Sequence, residues 1–172
     1  MRLFIVVLLL NMSLFSKNVL ILNSYSPVSK WTSEQSNSII NTLKVDKSIK
    51  IYVEFMNTKV FKPTTASQKN LLNFFTHKYK KIHFDAVITT DDNALNFVIN
   101  NQNNKLFEGS KFFFSGVNNL QLSSILPKDK FTGIFEEKDP IGNLNLAKKL
   151  KKNLEAVYLV GDNTITSRKI IE

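Results

Sequence analysis

Six short apolar runs limit what this chain can fold into. They cover residues 19–22, 49–55, 86–90, 111–115, 131–135 and 156–160, and longer segments of helical period separate them. A strand buried on both faces reads as a near-continuous apolar run, and regular alternation of such runs with helices is the pattern of a layered fold on a parallel sheet. The expected fold class is therefore α/β, a three-layer α/β/α lobe.

The intervening segments carry helix signals. Residues 31–43 begin near a Thr32 or Ser33 cap, with Glu34 close to the positive end of the helix. After Pro63, residues 65–80 place Leu71, Leu72, Phe74, Phe75 and Tyr79 at helical spacing, and Lys78, Lys80 and Lys81 fall at the C-terminal end. Asp91 or Asp92 is expected to cap a third helix through Ala94, Leu95, Phe97 and Val98, and Asp139-Pro140 to open a fourth through Leu150. Residues 164–172 read as the first turns of another helix, too short to be stable alone. This ending predicts an N-terminal fragment of a longer protein.

At 172 residues the chain has room for one domain, or for one lobe and the beginning of a second. Residues 1–16 join Arg2 to an apolar run from Leu3 to Leu10 and then to a short polar stretch, the layout of a secretory signal. Export follows as an expectation, with residues 1–16 a signal peptide or an uncleaved N-terminal anchor and the rest periplasmic or extracytoplasmic. The net charge of +9 would suit nucleic acid, but only Arg2 and Arg168 are arginine, so the bidentate fork that reads phosphate and guanine is almost missing. No nucleic-acid partner is expected. The absence of cysteine excludes disulfides, thiolate metal sites and cysteine nucleophiles.

In an open parallel sheet, ligands bind outside the carboxyl ends of the strands. Those ends read Asn23-Ser24-Tyr25, Glu54-Phe55-Met56-Asn57-Thr58-Lys59, Thr90-Asp91-Asp92-Asn93, Ser115-Gly116-Val117-Asn118, Glu136-Glu137 and Gly161-Asp162-Asn163. Hydroxyls, amides and carboxylates recur, with Trp31 shortly after the first. The same residues also serve as helix caps and turn formers, with Gly116 at a left-handed position. Catalysis finds little support. Ser24 lies in no G-x-S-x-G elbow, the five glycines form neither a dinucleotide fingerprint nor a Walker loop, and His77 and His83 lack metal-site spacing. No metal, cofactor or catalytic residue is expected. Asp91-Asp92 would suit a phospho-acceptor receiver, but a receiver carries acidic residues after its first strand, where Asn23-Ser24-Tyr25 stand.

Taken in order, Val19-Leu20-Ile21-Leu22-Asn23-Ser24-Tyr25 with Trp31-Thr32, Glu54 to Lys59, Asp91-Asp92-Asn93-Ala94-Leu95 with Phe97, Leu106-Phe107, Phe113 to Asn118 and Thr132-Gly133-Ile134 with Glu136 resemble a known family. The pattern is similar to the substrate-binding-protein-like domains related to ABC transporter binding proteins, often found as extracytoplasmic sensor regions of bacterial histidine kinases. The resemblance implies a type I periplasmic-binding fold, two α/β lobes closing on a ligand. Residues 17–137 would form the first lobe and 138–172 the start of a second. It also implies a small polar ligand and a membrane-embedded signalling or permease partner. The chain departs from the pattern at Asn100 to Asn104, where a more basic loop is common.

On this reading the cleft residues are Ser24, Tyr25, Trp31, Asp91, Asn93, Asn118 and Glu136. Tyr25 and Trp31 would pack on the ligand, and Ser24, Asn93 and Asn118 would hydrogen-bond it. Asp91 or Glu136 would meet a donor or cationic group. The competing reading is a cytoplasmic flavodoxin-like or receiver-type module or enzyme, in which residues 1–16 form a strand.

Overall fold

The computed structural model describes residues 16–162 and Arg168. The expected leader lies outside these residues apart from Ser16, and the further helix expected from Thr164 lies outside them apart from Arg168. Five parallel strands, β1 (Lys17–Asn23), β2 (Ile49–Phe55), β3 (Ala86–Thr90), β4 (Lys111–Val117) and β5 (Phe131–Phe135), form one sheet in the order β2-β1-β3-β4-β5. The helices are α1 (Lys30–Leu43), α2 (Thr65–Lys78), α3 (Asp91–Asn101), the one-turn α4 (Leu122–Ile125) and α5 (Pro140–Leu150), with a 3₁₀ turn at Lys105–Phe107. The fold is α/β, with helices flanking an all-parallel sheet. None of the described helices is long and apolar enough to cross a membrane.

Successive side chains of a strand point to opposite faces, so each apolar run supplies both. Leu20, Leu22, Val87, Phe112 and Phe114 pack on one face with Phe75 and Tyr79 from the α2 side and Ala94, Leu95, Phe97 and Val98 of α3. Aromatic rings bind this layer together. Tyr79 meets Phe84 at 5.1 Å, Phe97 meets Phe75 at 6.2 Å and Phe107 at 6.4 Å, all edge to face, and Phe112 stacks on Phe131 at 4.7 Å. Such pairings add to area burial because ring edges and faces carry opposite partial charge. The other face carries Val19 and Ile21, both buried, with α1 against β1, β2 and β3.

Several boundaries differ from expectation. The cap of α1 is Ser29 rather than Thr32 or Ser33, because the helix starts a turn earlier and turns Thr32 inward, where it is fully buried. Neither Asp91 nor Asp92 caps α3. Asp91 is its first residue, with φ of +62°, and the acceptor in the first turn comes instead from the loop after β1, where Ser24 Oγ receives the Ala94 N–H at 2.8 Å. Asp139 does cap α5, accepting from Gly142 N at 2.7 Å. The expected sixth strand at 156–160 does not form. Its Val157, Tyr158, Leu159 and Val160 are exposed, and the sheet ends at β5 without pairing to it. A strand with no hydrogen-bonded neighbour leaves its backbone groups unpaired and has nothing to hold it extended.

Side-chain truncation should therefore cost much more in α3 than at the end of α5. Phe97 is fully buried among Phe75 and Phe107, so Phe97→Ala should cost about 3–5 kcal/mol in urea denaturation. Leu150 at the end of α5 is exposed, and Leu150→Ala should change stability by no more than about 0.5 kcal/mol. Equal losses would mean that α5 is packed into the core.

Candidate functional site

The order β2-β1-β3-β4-β5 reverses direction between β1 and β3, which opens a crevice at the carboxyl ends of those two strands. Ser24 ties the crevice floor together. Its Oγ donates to Thr90 O at 2.6 Å while accepting from Ala94 N, and its carbonyl receives both the N–H and the hydroxyl of Thr58 at 2.9 Å. Asn93 continues the network by donating from Nδ2 to Thr58 Oγ1 at 2.8 Å. The loops after β1, β2 and β3 are thereby joined through buried hydrogen bonds. Ser24 and Asn93, expected to meet a ligand, direct these groups to Thr90, Ala94 and Thr58.

Asp91 lies between the two groups that Ser24 holds. It is 3% exposed, its backbone is left-handed, and its Oδ2 has no hydrogen-bond partner. Burial pushes its carboxyl up to about 7, a hydrogen bond from the Trp31 side chain opposes that, the charges of Asp92 and Glu136 add to it, and Lys59 lowers it. A non-glycine residue at positive φ costs free energy, and such strain concentrates where a side chain must be aimed. Asp92, also buried, receives Asn119 N at 3.1 Å and Asn118 N at 3.3 Å.

The rim on the β4 side is built around Gly116, whose φ of +70° accompanies a register shift in the β4–β5 pairing. A Cβ there would sit 3.1 Å from Gln35 Nε2 and 3.4 Å from Asp91 Oδ1, so glycine lets both side chains pack closer than another residue would. Gln35 donates to Ser115 Oγ at 3.0 Å, and Asn118 Nδ2 donates to Gly116 O at 3.2 Å. The acceptor ends of the two amides, Gln35 Oε1 and Asn118 Oδ1, are buried and have no partner. Thr32 Oγ1 and Ser36 Oγ, on the same face of α1, are also buried without one.

Trp31 is half-exposed beside Asp91. Tyr25 is buried, and Lys59 Nζ lies 5.0 Å from its ring centroid and 3.3 Å from the Asp162 carboxylate. Glu136 is ion-paired with Lys138, and its backbone N–H donates to Val117 O at 2.7 Å. All seven expected residues belong to the loops and helix starts around this end of the sheet, with Ser24, Asn93 and Glu136 already engaged by protein groups. His77 and His83 are elsewhere: His77 is in the last turn of α2, and His83 O accepts from Asn18 near the start of β1. Among the described residues, no three His, Cys, Asp or Glu side chains are grouped to hold a metal ion.

Gln35, Thr32, Ser36 and Thr58 were not among the expected residues. Thr58 lies in the polar run after β2, and the signal for the others lay in α1, where residues 32, 35 and 36 put a polar stripe on a face that needs apolar residues to pack on a sheet. Comparison with protein families, with curated proteins and with solved structures gives no match to the chain.

Two predictions follow from the charges and bonds of the floor. The Asp91 carboxyl is raised in the folded chain from an ordinary 3.8 to about 7, so between these values the folded state keeps a proton that the unfolded state releases. Stability should fall as pH rises from about 4 to about 7 and then level off, by up to a few kcal/mol. Asn tolerates left-handed backbone, so Asp91→Asn should melt higher than the parent at pH 8 and show a flatter slope across that window. A parent melting temperature independent of pH there would contradict the buried carboxylate. Ser24→Ala strips the Ala94 N–H of its acceptor and should cost about 1–3 kcal/mol in chemical denaturation.

Proposed function

We propose that this chain is a non-enzymatic, exported lobe that binds a small polar molecule, part of a membrane sensor or of an ABC-type substrate-binding protein. The observation that carries the reading is the set of buried, unpartnered polar atoms Asp91 Oδ2, Asn118 Oδ1 and Gln35 Oε1 at the sheet crevice, with Thr32 Oγ1 and Ser36 Oγ on the same face of α1. Buried polar groups are rarely left unpaired, because each costs about 1–3 kcal/mol. A cluster of them at a topological switch point is therefore best accounted for by a ligand that supplies the missing partners. The motif order resembling substrate-binding-protein-like sensor domains supports the same reading. That resemblance assigns residues 17–137 to the first lobe and 138–172 to the start of the second, which would contribute the opposite wall.

A binding lobe also fits the groups that chemistry would need and that are engaged here. Ser24 is fully buried, with its hydroxyl donating to one backbone group and accepting from another, so it is poorly placed to act as a nucleophile. The end of β1 carries Asn23 and Ser24 where a receiver would carry carboxylates.

The chain's single tryptophan, half-exposed at the crevice, makes the test direct. Trp31 fluorescence and melting temperature should be followed with L-lysine, L-serine, putrescine, ribose, glucose and adenosine. At least one class should shift both, and Asp91→Ala should weaken that response at least tenfold. No response to any compound, or a response unchanged in Asp91→Ala, would overturn the assignment. Fractionation of a C-terminally tagged chain should place it outside the cytosol; cytosolic retention with an intact Met1 end would sink the exported reading.

A further inference from the structure

The unpartnered atoms of the crevice share one chemical character. Asp91 Oδ2 is a carboxylate oxygen, and Asn118 Oδ1 and Gln35 Oε1 are amide carbonyl oxygens whose NH₂ groups are already donating to Gly116 O and Ser115 Oγ. All three are therefore acceptors in need of a donor. They belong to side chains arranged about Gly116, whose absent Cβ lets Gln35 and Asp91 pack close to its backbone. Resting on the ligand-binding reading above, we propose that the ligand carries a primary ammonium group, with Asp91 as its counter-ion and the Asn118 and Gln35 carbonyls as further acceptors.

The charges around the crevice favour a cation. Asp92 and Glu136 act on Asp91 as like charges, and the basic group that opposes them, Lys59, also faces the Asp162 carboxylate and the Tyr25 ring. An anionic ligand would meet three carboxylates across this floor. A neutral alcohol could donate hydrogen bonds but would bring no charge to hold Asp91 in its ionised form, which burial disfavours. A metal ion would need several anionic ligands. Asp92 receives two backbone N–H groups and Glu136 is paired with Lys138, which leaves Asp91 with amide oxygens only. An ammonium group brings three N–H donors and one positive charge, matching both the acceptors and the carboxylate. Trp31, half-exposed and hydrogen-bonded to Asp91, offers an aromatic surface on which the body of the ligand can pack.

The test uses the Trp31 indole N–H resonance of the full chain in two-dimensional NMR, at constant ionic strength. The probes are phenethylammonium, 2-phenylethanol, 3-phenylpropionate and Mg²⁺, which differ chiefly in charge and donors. Phenethylammonium should shift the resonance with a Kd at least tenfold below that of 2-phenylethanol, while 3-phenylpropionate and Mg²⁺ leave it in place. Asp91→Asn should reduce the preference for ammonium over alcohol to about twofold or less. If that variant does not fold, Asn118→Ala serves instead and should weaken phenethylammonium at least threefold and 2-phenylethanol less. Equal or tighter binding of the alcohol, the carboxylate or Mg²⁺, or a preference unchanged in the variant that folds, overturns the ammonium assignment and leaves the ligand-binding reading standing. Silence from these probes and from every compound in the wider panel removes both.

Discussion

The hydroxyl of Ser24 is the interaction on which the rest of the site depends. A single oxygen accepts the Ala94 N–H in the first turn of α3 and donates to the last carbonyl of β3, and so joins the end of β1 to the point where β3 becomes a helix. Helices usually obtain this acceptor from their own preceding residue. Because it comes from a neighbouring strand here, the chain must pass from strand to helix within the span between Thr90 O and Ala94 N. Asp91 occupies that passage and turns left-handed to make it. The backbone strain and the burial of its carboxyl thus have a common origin in the strand-to-strand tie.

Such a floor subtracts from stability. An unpaired buried carboxylate, a strained backbone and several amide or hydroxyl atoms without partners each oppose folding, by amounts that are individually modest and together large beside the net stability of a domain. The opposite face of the sheet supplies the compensation. Phe75, Phe84, Phe97 and Phe107 are almost wholly buried; edge-to-face contacts link Phe75, Phe97, Phe107 and Phe112, which stacks on Phe131 at the far edge, and Phe84 meets Tyr52 and Tyr79 edge to face. The molecule is accordingly asymmetric across its sheet, with an aromatic layer beneath α2 and α3 and a polar stripe on α1. That division is common where binding geometry is held at the expense of packing.

The architecture was legible because its signal is periodic. Each of the first five apolar runs became a strand of the sheet, and the polar residues that follow them came together at one edge as parallel topology requires. Run 156–160 misled because hydropathy cannot report whether a neighbouring strand exists. The site was legible by position but not by role. Ser24 and Asn93 carry the hydroxyl and amide of ligand-binding residues, yet their partners, Thr90, Ala94 and Thr58, are distant in sequence and appear only after folding. Asp91 read as a helix cap because a carboxylate before an apolar segment usually is one. Its left-handed backbone follows from the Ser24 tie, which no local pattern encodes. The stripe at Thr32, Gln35 and Ser36 was visible, and its meaning lay in the polarity of a helix face that had to meet a sheet.

The arrangement also bears on how such a crevice would discriminate. A site lined with groups that must receive hydrogen bonds rejects a molecule lacking donors more strongly than an apolar pocket rejects a misfit, because every unfilled acceptor remains desolvated. Here the acceptors are already desolvated in the free chain, so a matching ligand relieves a cost that folding has imposed instead of incurring a new one. Their side chains are held by bonds from the other end of each amide: Gln35 to Ser115, Asn118 to Gly116. The two amides are therefore held in one orientation before a donor arrives, and part of the ordering entropy that normally weakens small polar contacts has been met in advance. On the proposed reading, selectivity would rest on the number and charge of the donors presented to Asp91, Asn118 and Gln35, while the half-exposed Trp31 would respond to the shape of whatever carries them.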